Sequence, residues 1–402
     1  MSNPFFSVII PTKNRSFLIG NAIRSVLRQS CRDFEVIVVD NDDTDSTTRE
    51  ILQFRDERLK HLRTGGLSMP DNWEAGANVA RGVYHVYLED KQALKPHALR
   101  RVFHEVKSRD FPTITWLADS FNDLESPPVV RRARGNGGSR VIQSDELLDQ
   151  FVNAPGLNYK RTLPLPQLGC FHREIAQTIR SGPMGRLFHA VSPDVILGIV
   201  QLAYADDILQ IDEALVVYQT NRYSNGRSIA MKGPLARQFT QELGGKDSIY
   251  YDRVPVKAVS IPGTVFNDYL KVQERVGRRL ARFPLNLPKY FTTTYQAMVD
   301  SKTQGVVMRN EIAEWHRALA QQPSEVQHSV RRTVRLGFIT EARQELKKLG
   351  FAMGLRKVER HCKAFYRGRI RRQPEWRFRN AMDYMNWESA RSGGDLVREP
   401  AP

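Results

Sequence analysis

Residues 5–11 read FFSVIIP and residues 34–40 read FEVIVVD, two apolar runs with the length and composition of buried strands. Between them, residues 14–29 carry apolar side chains three and four positions apart, which predicts a helix. This strand–helix–strand order predicts a parallel sheet covered by helices on both faces. Ligands bind such sheets beyond the carboxyl ends of the strands, so the polar residues that close each strand are candidates for function.

The same alternation continues to about residue 106, which extends the predicted α/β sheet. We expect further strands at 59–64 and 84–90 (YHVYLED), and helices at 46–54, 71–81 and 96–106. The polar residues that close the predicted strands are Thr12, Asp40, Glu89 and Asp90.

After residue 120 the pattern becomes looser. Residues 127–140 are rich in Pro, Gly and Arg and predict an exposed loop, whereas residues 192–204 predict a strongly apolar helix. Residues 207–219 predict one or two strands, and residues 221–232 have the composition of a domain boundary. The predicted units are an α/β domain over 1–225, a mainly helical basic domain over 226–390 and a disordered tail over 391–402.

The charge of the chain is distributed unevenly. The 402 residues have a formal net charge of +16. Residues 1–225 contain 27 basic and 27 acidic side chains, and residues 226–402 contain 33 basic and 17 acidic ones. A basic C-terminal part predicts an anionic partner such as a membrane surface, a nucleic acid or an acidic polymer.

Composition excludes several classes of protein. The three cysteines are far apart and odd in number, which excludes a disulfide framework and a cysteine-built zinc site and fits a reducing cytosol. No stretch approaches the roughly 18 apolar residues needed to span a bilayer. The N-terminus has no basic region and no small-residue cleavage site, so we do not expect a signal peptide.

Four segments occur in a specific order. Residues 11–15 (PTKNR) follow the first strand, residues 40–45 (DNDDTD) follow the second, residues 88–91 (LEDK) close the fourth, and residues 192–194 (SPD) open the later helix. In this order they resemble the family-2 glycosyltransferases, inverting enzymes whose pattern is SVIIPTYNR, VIVVDDGSTD, a strand-end acidic cluster and a catalytic Asp. The resemblance covers about residues 5–220. It implies the GT-A fold, a Rossmann-like mixed sheet with helices on both faces.

The resemblance also implies a binding site for a nucleotide-diphosphate sugar, usually a UDP-sugar. Pro11, Thr12 and Asn14 match the family's loop around the nucleoside. Asp40 matches the Asp that accepts hydrogen bonds from the base, and Asp90 matches the acid that contacts ribose and phosphate. On the residue alone, Asp40 is equally a strand-end Asp that starts a turn.

The position that binds a metal in the family departs from the pattern here. Family members have an acid that binds Mg²⁺ or Mn²⁺ where this chain has Lys91. In one interpretation, Glu89 or Asp90 still binds the metal through a shifted geometry. In another, the site needs no metal, and Lys91 neutralises the leaving diphosphate and so contributes to donor binding. A third interpretation is a degenerate enzyme.

Asp194 matches the catalytic general base of the family. Inverting transfer needs a base that takes the proton from the acceptor hydroxyl as it attacks the anomeric carbon. An acid directly after Pro193 at a helix start is also favoured by capping and by the helix dipole, so a structural role stays open.

Residues 353–372 (MGLRKVERHCKAFYRGRIRR) combine an apolar helical stripe with dense basic charge. Helices of this kind lie on anionic membrane surfaces. The alternatives are a helix that packs its stripe on the rest of the domain, and a nucleic-acid-binding helix. Because no nucleic-acid motif accompanies the charge, nucleic acid is not an expected partner.

The sequence therefore predicts a cytoplasmic, inverting glycosyltransferase, peripheral at the inner face of the membrane. As the resemblance implies, it would act in bacterial cell-surface polysaccharide or glycan synthesis, on a glycan or polyprenyl-linked acceptor. The alternative is a catalytically silent relative that binds a glycan or acts as a scaffold. A nucleotidyltransferase is disfavoured because we find no Gly-rich phosphate loop.

Overall fold

The computed structural model describes residues 3–233, 251–335 and 381–391, without 108, 125–128, 155, 158, 190, 221–223 and 259, and also residues 237 and 241. The strands are β1 (Phe6–Thr12), β2 (Phe34–Asp40), β3 (Leu59–Arg63), β4 (Tyr84–Tyr87), β5 (Ala93–Leu94), β6 (Thr113–Asn122), β7 (Val129–Arg131), β8 (Ser139–Gln143), β9 (Gly169–His172) and β10 (Asp207–Thr220). The helices are α1 (Ser16–Leu27), α2 (Ser46–Ile51), α3 (Met69–Val79), α4 (Ala98–Glu105), α5 (Ser144–Asn153), α6 (Tyr159–Thr162), α7 (Arg173–Ser181), α8 (Pro193–Tyr204), α9 (Asn225–Ala230), α10 (Ile261–Val276), α11 (Leu287–Thr303), α12 (Arg309–Ala320) and α13 (Ala381–Arg391).

The ten strands form one mixed sheet in the order β3-β2-β1-β4-β9-β6-β10-β5, with β7 paired to β6 and β8 paired to β10. The first four strands are parallel to one another, and β9 is antiparallel to both of its neighbours. The predicted α/β class and the mixed sheet are confirmed.

The carboxyl ends of β1 and β2 lie side by side, because Thr12 pairs with Asp40 in the parallel register. Strand β4 ends at Tyr87, earlier than predicted, and Glu89 and Asp90 fall in the turn before β5. This turn lies at the same edge of the sheet as the loop after β1.

Hydrophobic clusters cover both faces of the sheet, as the alternation of side chains along a strand requires. Val8 and Ile10 belong to the cluster that contains α1 and α4, whereas Ile9 belongs to the cluster that contains α3, α7 and α8. The second cluster continues into α10, α11 and α12, where Phe266 and Trp315 are members. The helices after residue 260 thus share a core with the sheet, and the domain division at 225/226 stays a prediction.

The C-terminal helix α13 packs on the sheet. Tyr384 and Met385 are buried against Phe121 and Val217, and the Tyr384 hydroxyl donates to Asp119 at 2.9 Å. The predicted basic helix over 353–372 and all but the first residue of the predicted tail lie outside the described residues.

Residues 127–140 were predicted to be a loop, and this prediction is wrong for part of the range. Strand β7 pairs with β6 and strand β8 pairs with β10. Strand β8 is largely exposed and β7 has only three residues, so neither shows the apolar alternation that marks a half-buried strand. Of the helices that the structure describes, none is both long enough and apolar enough to cross a membrane.

Candidate active site

A cavity of about 570 Å³ opens beyond the carboxyl ends of β1 and β4. The loop after β1, the β4–β5 turn, α6, the start of α8, the end of β10, and α9 and α10 form its walls. Its polar and charged lining residues include Thr12, Lys13, Asn14, Arg15, Asn41, Glu89, Asp90, Lys91, Tyr159, Lys160, Gln167, Asp194 and Tyr218. Pro11 lines it as well. The structure therefore brings together the predicted site residues with the exception of Asp40.

The Asp90 carboxylate joins the ends of β1 and β4 at the cavity floor. It is 2% exposed. Its Oδ2 accepts a hydrogen bond from the Thr12 hydroxyl at 2.9 Å, and its Oδ1 lies 3.4 Å from Arg15 Nη1. Asp90 therefore holds Thr12 and Arg15 in position at the cavity.

Asn14 links the loop after β1 to the loop after β2. Its backbone has a φ of 55°, a left-handed conformation that Asn tolerates better than most residues. The Asn14 side chain donates to Asp43 Oδ2 at 2.7 Å and accepts from the Asp43 backbone N–H at 3.0 Å. The Asn14 backbone N–H donates to Asp42. These bonds fix the loop after β1 to the loop after β2.

Among the described residues, Asp40 lies outside the cavity lining and is completely buried. Its carboxylate accepts hydrogen bonds from His61 at 2.9 Å, Arg63 at 3.0 Å and Thr48 at 3.1 Å, and from the Asp42 backbone N–H at 3.0 Å. Burial favours a raised pKa for Asp40, but these hydrogen bonds outweigh burial and lower the pKa. The observed contacts match a strand-end structural role, and contact with a base stays a prediction.

Asp40→Ala is therefore expected to destabilise the fold. The loss of the carboxylate leaves Arg63 and His61 without their buried partner, at a cost of about 2–3 kcal/mol, less than for a fully buried pair because both cations are partly exposed. Urea denaturation measures this free energy of unfolding. Asp45→Ala is the matched control, since Asp45 also faces Arg63 but is 78% exposed, and it should change stability by less than about 0.5 kcal/mol. Equal stability of the two variants would contradict the structural role of Asp40.

Glu89 and Lys91 form an ion pair at the cavity edge, with Glu89 Oε2 3.3 Å from Lys91 Nζ. A divalent cation such as Mg²⁺ needs several oxygen ligands. Here Glu89 faces an ammonium, and both oxygens of Asp90 face protein donors. Among residues 3–335 and 381–391 as described, no group of three or more His, Cys, Asp or Glu side chains could hold a metal ion. The residues at this position do not fit Mg²⁺ or Mn²⁺.

A second ammonium accompanies Lys91. Lys160 Nζ lies 4.6 Å and Lys91 Nζ lies 5.8 Å from the centre of the same ring, that of Tyr218. Lys160 as a residue is exposed, but the protein around its ammonium group removes part of the water and so lowers its pKa. The positive charge of Lys91 lowers this pKa further. Glu89 and Asp194 oppose that shift. Two of the cations that line the cavity, Lys91 and Lys160, are thus neighbours, and the charges of Glu89 and Asp194 act on Lys160 as well.

Asp194 is the second residue of α8, and its carboxylate lines the cavity. Its Oδ2 accepts a hydrogen bond from Gln167 Nε2 at 2.7 Å. Burial raises the pKa of Asp194, and the charge of Glu89 raises it further, although the bond from Gln167 opposes the shift. A carboxylate with a raised pKa is a stronger base, which suits proton abstraction near neutral pH.

The sequence analysis missed Tyr159, Lys160, Gln167 and Tyr218 as cavity residues. They lie on a one-turn helix, a 3₁₀ helix and the end of a long strand, where no motif or hydrophobic period marks them. Lys160 stands directly before a second basic residue, Arg161, so its charge alone does not single it out in the sequence.

Part of this chain is similar in sequence to known proteins. The sequence model of the family described as Glycosyl transferase family 2 matches residues 7–141. The UDP-Glc:alpha-D-GlcNAc-diphosphoundecaprenol beta-1,3-glucosyltransferase WfgD of Escherichia coli is 27% identical over 184 residues, 44% of this chain and 63% of that protein. The GalNAc(5)-diNAcBac-PP-undecaprenol beta-1,3-glucosyltransferase of Campylobacter jejuni is 34% identical over 100 residues, 24% of this chain and 32% of that protein.

The match thus spans less than two thirds of the length of either relative. Among solved structures, S. aureus TarS 1–349 in complex with UDP-GlcNAc is 14% identical, with a TM-score of 0.47 over 83% of this chain and 92% of that one. The sequence of residues 7–141 is thus similar to glycosyl transferase family 2, and these residues form the first part of the mixed sheet.

Proposed function

We propose that this protein is an inverting glycosyltransferase that moves a sugar from a UDP-sugar to a hydroxyl group of a glycan or polyprenyl-linked acceptor. We place its role in bacterial cell-surface polysaccharide or glycan synthesis, on the cytoplasmic side of the membrane. One observation carries the proposal: a single cavity combines Lys91 and Lys160, which suit a diphosphate, with Asp194, which suits a base.

In this proposal the two lysines stabilise the charge that develops on the leaving diphosphate. Fixed cations aimed at developing charge are among the largest contributions to catalysis. Because Glu89 is paired with Lys91 and Asp90 with Thr12 and Arg15, we assign the neutralisation to the ammonium groups and not to a metal. Pro11, Thr12 and Asn14 form the wall for the nucleoside.

Asp194 takes the proton from the acceptor hydroxyl. As the hydroxyl oxygen forms its bond to the anomeric carbon, the bond from that carbon to the diphosphate oxygen breaks with its electron pair, and the proton passes to Asp194. Attack from the face opposite the leaving group inverts the anomeric configuration. Gln167 holds the carboxylate at its Oδ2.

The names of the relatives support the choice of donor and acceptor. The E. coli relative is named for transfer from UDP-Glc to a diphosphoundecaprenol-linked sugar, and the C. jejuni relative is named for a PP-undecaprenol-linked glycan. A lipid-linked acceptor would bring the enzyme to a membrane surface.

A screen of UDP-, GDP-, dTDP- and CMP-sugars for thermal stabilisation tests the donor site. We expect a UDP-sugar to raise Tm selectively, and to do so equally with Mn²⁺ and with EDTA. No stabilisation by any donor at millimolar concentration would favour the catalytically silent scaffold.

We also expect the basic segment 353–372 to bind anionic lipid. Deletion to the C-terminus is a poor test because α13 packs on the sheet. Instead, Arg367, Arg369, Arg371 and Arg372 are changed together to Gln. At about 1 kcal/mol per basic residue, binding to vesicles with anionic lipid should weaken by up to roughly three orders of magnitude in a flotation assay. Neutral vesicles and high salt serve as controls. Unchanged binding of the variant would contradict an electrostatic contact.

A further inference from the structure

The turn that leads into α8 has a strained backbone. Val191 lines the cavity and has a φ of 84°, a genuine outlier for a β-branched residue. Such conformations persist only where surrounding contacts hold them, and they cluster at functional sites. Val191 lies three residues before Asp194, so whatever holds this turn also sets where Asp194 enters the cavity.

The contact that holds the turn comes from α10. Asp268 accepts hydrogen bonds from the Ser192 backbone N–H at 3.2 Å and from the Ser192 hydroxyl. Ser192 is the residue that caps the N-terminus of α8, and its side chain is directed to Asp268. The Asp268 carboxylate thus accepts from both hydrogen-bond donors of Ser192, the residue between Val191 and Pro193.

Asp268 is a buried acidic residue of α10. It is 1% exposed, on a helix that buries Val265 and Phe266 together with the polar residue Asn267. Burial raises the pKa of Asp268 to about 7, and the negative charge of Asp194 contributes to this rise. The hydrogen bonds from Ser192 and the positive charge of Lys271 act in the opposite direction. Burial of a carboxyl group whose charge is opposed by that of Asp194 costs free energy, and an apolar side chain at position 268 would avoid this cost.

We infer that Asp268 is a positioning residue that, through Ser192 and the strained Val191 turn, holds Asp194 in the geometry for proton abstraction. This inference rests on the proposed function. It also means that α10, which lies outside the segment 7–141 matched by the family, completes the site.

The test compares kcat and donor KM of purified full-length variants with a UDP-sugar that the wild-type protein uses. Asp268→Ala should lower kcat by about 10–100-fold, as expected for displacement of a reacting group by up to about 1 Å, and should leave donor KM within about twofold. Asp268→Asn keeps an oxygen that accepts from Ser192, and should recover kcat to within about threefold of wild type. Glu274→Ala, a change on the exposed side of the same helix, should have wild-type kcat.

If Asp268→Ala does not fold, Ser192→Ala removes one of the two bonds and should lower kcat in the same direction. Wild-type kcat in a folded Asp268→Ala protein overturns the inference alone, as does a loss that Asp268→Asn fails to restore. Absence of transfer by the wild-type protein from every nucleotide sugar overturns the proposed function and this inference with it.

Discussion

Asp194→Asn is expected to keep UDP-sugar binding and to lose about 10²–10⁴-fold in kcat, the usual contribution of a general base. The amide has the shape of the carboxylate and can still face Gln167, but it cannot take the acceptor proton. Donor affinity is measured by calorimetry and transfer by UDP release coupled to product detection.

The control for this variant is Glu174→Gln. Glu174 occupies the same position in the first turn of α7 that Asp194 occupies in α8, but it is 80% exposed. Both changes remove an acid that favours a helix N-terminus, worth about 0.3–1 kcal/mol, so their effects on stability should be similar. If the kcat of Asp194→Asn equalled the kcat of Glu174→Gln, the role of Asp194 would be to stabilise the N-terminus of α8 alone.

The pH dependence of the wild-type protein gives a further readout of Asp194. Burial raises the pKa of this carboxyl, and only its ionised form accepts a proton. Activity should therefore fall, as pH decreases, at a pH above the ordinary Asp range of about 3.9. The acidic limb of the profile of kcat/KM reports this group in the free enzyme.

Lys91→Ala and Lys160→Ala are each expected to lower kcat by about 10²–10³-fold, the cost of removing one fixed group that stabilises transition-state charge. Wild-type activity should survive EDTA, and added Mn²⁺ should not restore either variant. Lys107→Ala, at an exposed lysine two residues beyond the end of α4, is the control and should be fully active.

A dependence of activity on a divalent metal would contradict the assignment of diphosphate neutralisation to Lys91 and Lys160. Complete loss of wild-type activity on chelation, with recovery by Mn²⁺ or Mg²⁺, would return the role to Glu89 and Asp90. It would require the ion pair between Glu89 and Lys91 to open when the donor binds.

The parts of the fold that sequence could predict are those whose signals are local. Strands β1 and β2 are uninterrupted apolar runs because helices cover both of their faces. Helix α8 was predicted over 192–204 and starts at Pro193, one residue later, because proline suits the first turn of a helix. Strands β7 and β8 carry no such signal: β7 is only three residues long, and β8 pairs with β10, which is distant in the chain.

In the candidate site, too, residues marked by local motifs could be predicted, and contacts between distant residues could not. Pro11, Thr12, Asn14, Asp90, Lys91 and Asp194 were predicted from motifs, and all of them line one cavity. Asp40 fits the motif equally well, but which way a strand-end side chain turns depends on its neighbours, here Arg63 and His61 from β3. The contact of Asp268 with Ser192 joins residues 76 positions apart and leaves no periodic trace in the sequence.

The most direct test of the central claim is proton NMR of the product formed from an α-linked UDP-sugar in the presence of EDTA. The acceptor is a polyprenyl-diphosphate-linked sugar, and the readout is the coupling constant of the newly linked anomeric proton. We predict a β-linked product, formed at the same rate with and without the chelator. An α-linked product would contradict the inverting mechanism, and transfer only after metal is added would contradict the role of Lys91 and Lys160.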